Sequence, residues 1–418
     1  MTKFLFIASD YKPKPGGIAA YLDSLARGLI ALGNTVHVLG VIPPEDTQRM
    51  TFLDKYEPWV SSFPMICDKR PGNWLGNTCV SALEMFRCSS PALRYILDRT
   101  PPFQSSADAV ARLKGIVARN RPDVVVLGHL DLNQYPFVLF LREQQLPYGI
   151  IAHDVEVHRY PHKKNDLLRR GLMLKEANWI AANSRHTRSE IKMWGIADDR
   201  IMLVHPPISE EAVQQRAEEK PVGNHRTYVI TTVCRVVRGK GIDLVLHALN
   251  ILKKQGISCR YVVAGDGTDR EFFQKLALDL GISESVHFTG HITEAQKWSL
   301  LRSADVFVMP SRVNLTEQYE GFGIAFIEAN ACGIPAVGTR AGGIPDAIVD
   351  GETGILVEPE SPEKLAETLM FLYRHPEQRR QMGETGMRRA KTQFSPMAIA
   401  AQFQEEVSKR IIELSKKK

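Results

Sequence analysis

The stretch Glu320-Gly321-Phe322-Gly323-Ile324-Ala325-Phe326-Ile327-Glu328 says most about how this chain folds and what it does. Two acids flank a backbone made bare by two glycines, and the apolar run after them reads as the start of a buried helix. A helix start with little side-chain bulk suits a phosphate, because free N–H groups and the positive dipole end point at the ligand. One acid stands just before the helix and the other about two turns into it. Helical rise separates them by roughly 10 Å, so they can reach hydroxyls on either side of that phosphate. A nucleotide-sugar, with sugar, diphosphate and ribose in line, has that layout.

The rest of the chain supports this. It has 418 residues, enough for two domains of about 150–200 residues each. Apolar runs such as Val124-Val125-Val126-Leu127 are strand-sized, too short to span a bilayer. Lys3–Ser9 is too short for a signal peptide and reads as a buried first strand, so the expectation is a cytoplasmic protein. Its six cysteines show no CxxC pair and no histidine at metal spacing, which predicts reduced thiols and no metal. The net charge of +6 arises mostly in the first half. That suits an anionic small molecule or a membrane surface better than nucleic acid, which needs a denser basic stripe.

Strands and helices alternate, the mark of α/β architecture with parallel sheets. The first unit starts with a strand at Lys3–Ser9, a helix over Ala19–Leu32 and a strand at Val36–Val41. Strands at Val124–Leu127 and Tyr148–Ala152 follow, while residues 42–107 have no clear period. After His205-Pro206-Pro207 the alternation restarts at Tyr228–Val233. Two doubly wound, Rossmann-like domains facing across a cleft are expected: residues 1–207 on the acceptor side and 208–396 binding the donor. Ligands should then bind at the carboxyl ends of the strands.

Several motifs fall at those ends. Gly16-Gly17 follows the first strand and lets backbone approach a phosphate, or makes a plain turn. Arg235 and Lys240 flank a turn after the first strand of the second unit, where two cations can grip a diphosphate. Gly265-Asp266-Gly267 is a ligand loop, or a turn that Asp266 ties to its own backbone. His153 ends an apolar strand and can meet the reacting sugar or carry a proton, or it is a structural histidine beside a helix-capping Asp154. Arg159, Lys163, Lys164 and Arg185 belong to the densest basic cluster, which is either a solvated helix face or a site for a phosphate-bearing acceptor.

These residues together resemble the family-four retaining glycosyltransferases, which have the GT-B fold. The similarity runs from Ala304-Asp305 through Pro310-Ser311, Glu320-Gly321-Phe322-Gly323, Glu328-Ala329, Gly333-Ile334-Pro335 and Gly342-Gly343 to Asp350-Gly351 and Gly354. The two acids match that family's Glu-x7-Glu motif. The resemblance implies that Glu320 contacts donor-sugar hydroxyls and Glu328 the ribose. Backbone at Phe322, Gly323 and Ile324 would meet the phosphates, Arg235 and Lys240 would grip them, Gly16-Gly17 would close over them, and His153 would lie beside the sugar. It also implies a C-terminal helix, about 397–418, packed back on the first domain.

The same resemblance implies transfer with retention, without an enzyme nucleophile. No Asp-x-Asp occurs, in keeping with metal independence. No cofactor is expected, because the nucleotide-sugar is a co-substrate. The expected donor is a UDP-sugar, with GDP-mannose as an alternative. The expected acceptor is an anionic sugar phosphate, as in sucrose-phosphate synthases, with a phospholipid or cell-envelope polysaccharide as the alternative and a peripheral contact at the inner membrane face. Eight residues separate Ser311 from Glu320, a long loop comparable to that of some mannosyltransferases acting on phosphatidylinositol lipids. An inactive scaffold and a sugar-nucleotide epimerase are the rivals of another class.

Overall fold

A computed structural model describes residues 1–8, 17–42, 60–64, 101–158, 164–217, 227–312 and 320–416. Most of the unpatterned region 42–107 lies outside these residues.

The chain builds two parallel sheets. The first contains β1 (Lys3–Ala8), β2 (Thr35–Ile42), β3 (Val60–Pro64), β4 (Val124–Leu127), β5 (Tyr148–Ala152), β6 (Trp179–Ala182) and β7 (Ile201–Leu203), in the order 3-2-1-4-5-6-7. The second contains β8 (Tyr228–Val233), β9 (Cys259–Ala264), β10 (Val286–Gly290), β11 (Val306–Met309), β12 (Ala336–Thr339) and β13 (Gly354–Val357), in the order 10-9-8-11-12-13. Both orders reverse direction once, between β1 and β4 and between β8 and β11. Such switch points open crevices at the strands' carboxyl ends.

Burial explains the strand composition. Every residue of β4, β5, β6, β11 and β12 is buried. Helices cover both faces of each sheet, which selects continuous apolar runs over alternation. The short strands β6, β7 and β13 are not among those expected from the sequence.

One apolar cluster runs through both halves of the molecule, from Phe4, Phe6 and Trp179 to Phe307, Phe322 and Phe326. The C-terminal helix Pro396–Lys416 carries part of it. Its Phe403 ring lies 6.1 Å from Phe4, 6.4 Å from Phe6 and 5.6 Å from Trp179. The helix therefore belongs to the second half by sequence and to the first by packing. Its two chain crossings touch, with the Ile208 amide donating to the Phe394 carbonyl at 2.8 Å.

The helix Gly17–Ala31 meets the start of this C-terminal helix at Gly28. A Cβ there would stand 2.3 Å from the Pro396 carbonyl and 2.8 Å from the Ala400 Cβ. Gly28→Val should therefore cost about 1–3 kcal/mol by overpacking, seen as a lower denaturation midpoint. An unchanged midpoint would show that this contact yields freely.

Candidate donor-binding site

The Glu320 segment is held by backbone approaching backbone. A Cβ at Gly321 would lie 2.3 Å from the His153 carbonyl and 2.6 Å from the Asp154 Cβ, at the end of β5 in the first half. A Cβ at Gly343 would stand 1.9 Å from the Gly321 carbonyl, and the Gly343 amide donates to the Glu320 carbonyl at 2.8 Å. Gly342-Gly343 thus clamps one side of the segment and the turn after β5 the other. These glycines are sites of close approach, a purpose their sequence positions only hinted at.

Gly323 then takes φ +91 and starts the helix Ile324–Ala331. A left-handed backbone here favours glycine. Facing it is the start of the helix Gly17–Ala31, where the Cβ position of Gly17 is 3.9 Å from Ile324 Cδ1. Two helix N-termini, one from each half, therefore converge. Their unpaired N–H groups and dipoles favour an anion between them. Gly16 lies outside the described residues.

Each motif acid holds a lysine. Lys240 Nζ donates to Glu320 Oε2 at 2.5 Å, and Lys297 Nζ donates to Glu328 Oε1 at 2.9 Å. The Glu320 pair joins two loops far apart in sequence. Lys240 ends the turn Arg238–Lys240, which Gly241 (φ +69) presses against the Pro310 carbonyl. Burial pulls the Lys240 ammonium down, but Glu320 overrides this and raises it, so it stays charged. Burial likewise pushes the Glu328 carboxyl up against the pull of Lys297. Lys297 escaped the sequence reading. It lies on the helix Glu294–Ser303 among polar residues, and no motif sets it apart.

The remaining predicted residues divide. Arg235 is exposed just beyond β8. Gly265 (φ +126) and Gly267 serve loop contact, since a Cβ at either would meet the Cys234 or Val236 carbonyl at 1.9 or 2.3 Å. Asp266 accepts from the Gly267 amide at 2.9 Å, the self-tied turn that was the alternative to a ligand loop. The Phe322 ring is buried and stacks on His205 at 5.2 Å. His153 Nε2 lies 2.8 Å from the Gly128 carbonyl, and its ring meets Tyr21 edge-on at 5.1 Å, so the imidazole sits at the switch point between β1 and β4.

One member of the predicted basic cluster is engaged across the two halves. Arg185 binds Asp346 of the second half through its guanidinium, and its amide donates to the same carboxylate at 2.5 Å. This is an interdomain tie, which takes the guanidinium away from an acceptor phosphate. Lys164 opens the helix Lys164–Glu176, while Arg159 and Lys163 lie outside the described residues.

Comparison with known proteins agrees with this geometry. Residues 15–212 match the family described as "Glycosyltransferase Family 4", and residues 213–389 match "Glycosyl transferases group 1". A GDP-mannose-dependent alpha-(1-6)-phosphatidylinositol monomannoside mannosyltransferase of Mycolicibacterium smegmatis is 32% identical over 396 residues, covering 91% of this chain and 92% of that protein. Sucrose-phosphate synthase of Thermosynechococcus elongatus superposes with TM-score 0.73 at 19% identity, covering 98% and 99% of the two chains. Anabaena HepE in complex with UDP gives TM-score 0.72 at 18% identity, covering 97% and 100%. The chain belongs to glycosyltransferase family 4, and its fold is GT-B.

Replacing Lys297 should expose the strain in the Glu328 pair, whose side chains are 13% and 15% exposed. Lys297→Met leaves a buried carboxylate without its cation, at a cost of about 3–5 kcal/mol at neutral pH. Glu328 is already raised, so lowering the pH protonates it and removes the unpaired charge. The stability gap between wild type and variant should thus shrink as pH falls from 8 to 5. A constant gap in thermal melts would show that the carboxylate is not the strained group.

Proposed function

We propose that this glycosyltransferase moves a mannosyl group from GDP-mannose, with retention, to a phosphatidylinositol-mannoside type of lipid. The observation carrying this reading is the likeness at 32% identity, along nearly the whole of both chains, to a mannosyltransferase so named. The eight residues between Ser311 and Glu320 point the same way by their number. The reading moves away from the UDP-sugar and sugar phosphate preferred from sequence, because the UDP-bound and sucrose-phosphate relatives are below 20% identical and speak only for the fold.

In this reading the diphosphate lies between the two helix N-termini, with Arg235 and Lys240 neutralising the charge that develops as the bond to the sugar breaks. Glu320 and Glu328 exchange part of their lysine contacts for donor-sugar and ribose hydroxyls. The departing phosphate oxygen takes the acceptor's proton on the same face, so rate depends on placement and charge. His153, beside Gly128, borders the sugar. Lys240 supplies charge to the leaving group, and no step is assigned to a metal ion. A lipid acceptor requires contact with a membrane surface, and among the described residues no helix is long and apolar enough to cross one.

Two measurements test this. A thermal-shift comparison of GDP, UDP and ADP should show the largest rise with GDP, since a bound ligand stabilises the fold by mass action. A UDP-only shift would return the donor to a UDP-sugar. Mannose transfer from GDP-mannose to phosphatidylinositol monomannoside should fall at least about 100-fold in Lys240→Ala, with the α-anomer retained by NMR in the wild type. A collapsed melting temperature in that variant would mark Lys240 as structural instead.

A further inference from the structure

We propose that Asp154, His158 and His186 form a binding site for one divalent transition-metal ion, Zn2+ by its ligand chemistry. This departs from the absence of metal expected from sequence, and it is independent of the transfer reaction. Asp154 and His158 lie on the segment after β5, and His186 lies on the helix Arg185–Lys192. One ligand atom from each residue lies within 4.8 Å of the other two. His158 Nε2 is 2.8 Å and His186 Nε2 is 3.5 Å from Asp154 Oδ1. Ligand atoms about 2.0–2.1 Å from a tetrahedral zinc stand about 3.3–3.5 Å apart. The two carboxylate-to-imidazole separations, 2.8 and 3.5 Å, lie below and at that spacing.

Two features of Asp154 separate this cluster from an ordinary ion pair. Its side chain is 2% exposed, yet Oδ2 has no hydrogen-bond partner among the described residues. A buried carboxylate oxygen left in that state needs an explanation, and an ion gripped through both carboxylate oxygens would supply one. The residue also has φ 124, a backbone conformation that L residues rarely adopt. Such strain costs about 1–3 kcal/mol and persists where surroundings demand it. Here the Asn183 side chain holds the His153 carbonyl at 2.9 Å, Glu156 accepts from the His153 amide at 2.6 Å, and Gly321 presses from the other half. The turn points the carboxylate at the two imidazoles.

The donor set selects the ion. Two imidazoles and one carboxylate suit zinc and its neighbours, whereas magnesium and calcium take oxygen ligands. Three protein ligands leave a fourth position for water. The ion would tie the turn beneath Gly321 to the helix whose Arg185 holds Asp346, and so brace the interdomain contact from one side.

The test uses the full chain, stripped by chelator, dialysed, and titrated with Zn2+ by calorimetry and with Co2+ by visible absorption. One ion per chain is expected, with Co2+ bands of tetrahedral intensity and a melting temperature that rises with Zn2+. His186→Ala should weaken binding at least about 100-fold and abolish both the bands and the rise. If that variant does not fold, His158→Gln serves the same comparison. Failure of the wild type to take up either ion, or unchanged uptake and spectrum in the folded variant, would overturn the proposal and leave an Asp154–His158 ion pair only. The GDP thermal shift is read separately, so failure of the donor assignment does not mimic failure of this one.

Discussion

Gly321 against the His153 carbonyl is the contact on which the rest of the site depends. Backbone meets backbone there across the two halves, at a distance no Cβ would tolerate. Gly343 closes on the opposite side of the same segment. Glu320 is thereby carried to the seam between the sheets, Gly323 starts its helix facing Gly17, and the Phe322 ring is sent into the shared core against His205 and Phe394. Burial keeps the His205 imidazole below its ordinary value, so a neutral ring fills this apolar joint. Side-chain chemistry in the site is placed by positions with almost no side chain.

Charge is arranged on the same principle. Lys240 with Glu320, and Lys297 with Glu328, are pairs at the mouth of a region lined with helix N-termini. A cation and an acid withdrawn from water must be paired or neutralised. Glu320 keeps the Lys240 ammonium charged, while Lys297 only partly offsets the burial that pushes the Glu328 carboxyl up. In the proposed reaction, ligand binding would exchange partners at these pairs and would not have to create charge in a dry site.

Much of this was legible from residues. The alternation of apolar runs with amphipathic helices indicated two wound sheets, and each switch point follows from that topology. Glu320, Gly323 and Glu328 could be placed about a helix start because their spacing is local. Lys297 could not, since its meaning comes from a glutamate 31 residues away on another helix. Arg185 looked like one of a basic group, yet its guanidinium is engaged by Asp346, 161 residues on. Gly265 and Gly267 suggested a ligand loop, and the carbonyls of Cys234 and Val236 supply a packing reason that only the folded chain contains.

Sequence by itself determined the class of fold, the family, and the placing of the two acids about a helix start, because period, turn chemistry and short motif spacing are properties of contiguous chain. Tertiary structure alone decided which cation meets which acid, that the helix Pro396–Lys416 closes the first half, and that Asp154, His158 and His186 converge. Those facts join segments far apart in the chain or set the direction of a side chain. Parallel β-strands need crossovers to reach each other, so the residues at their carboxyl ends become neighbours only once both sheets have formed.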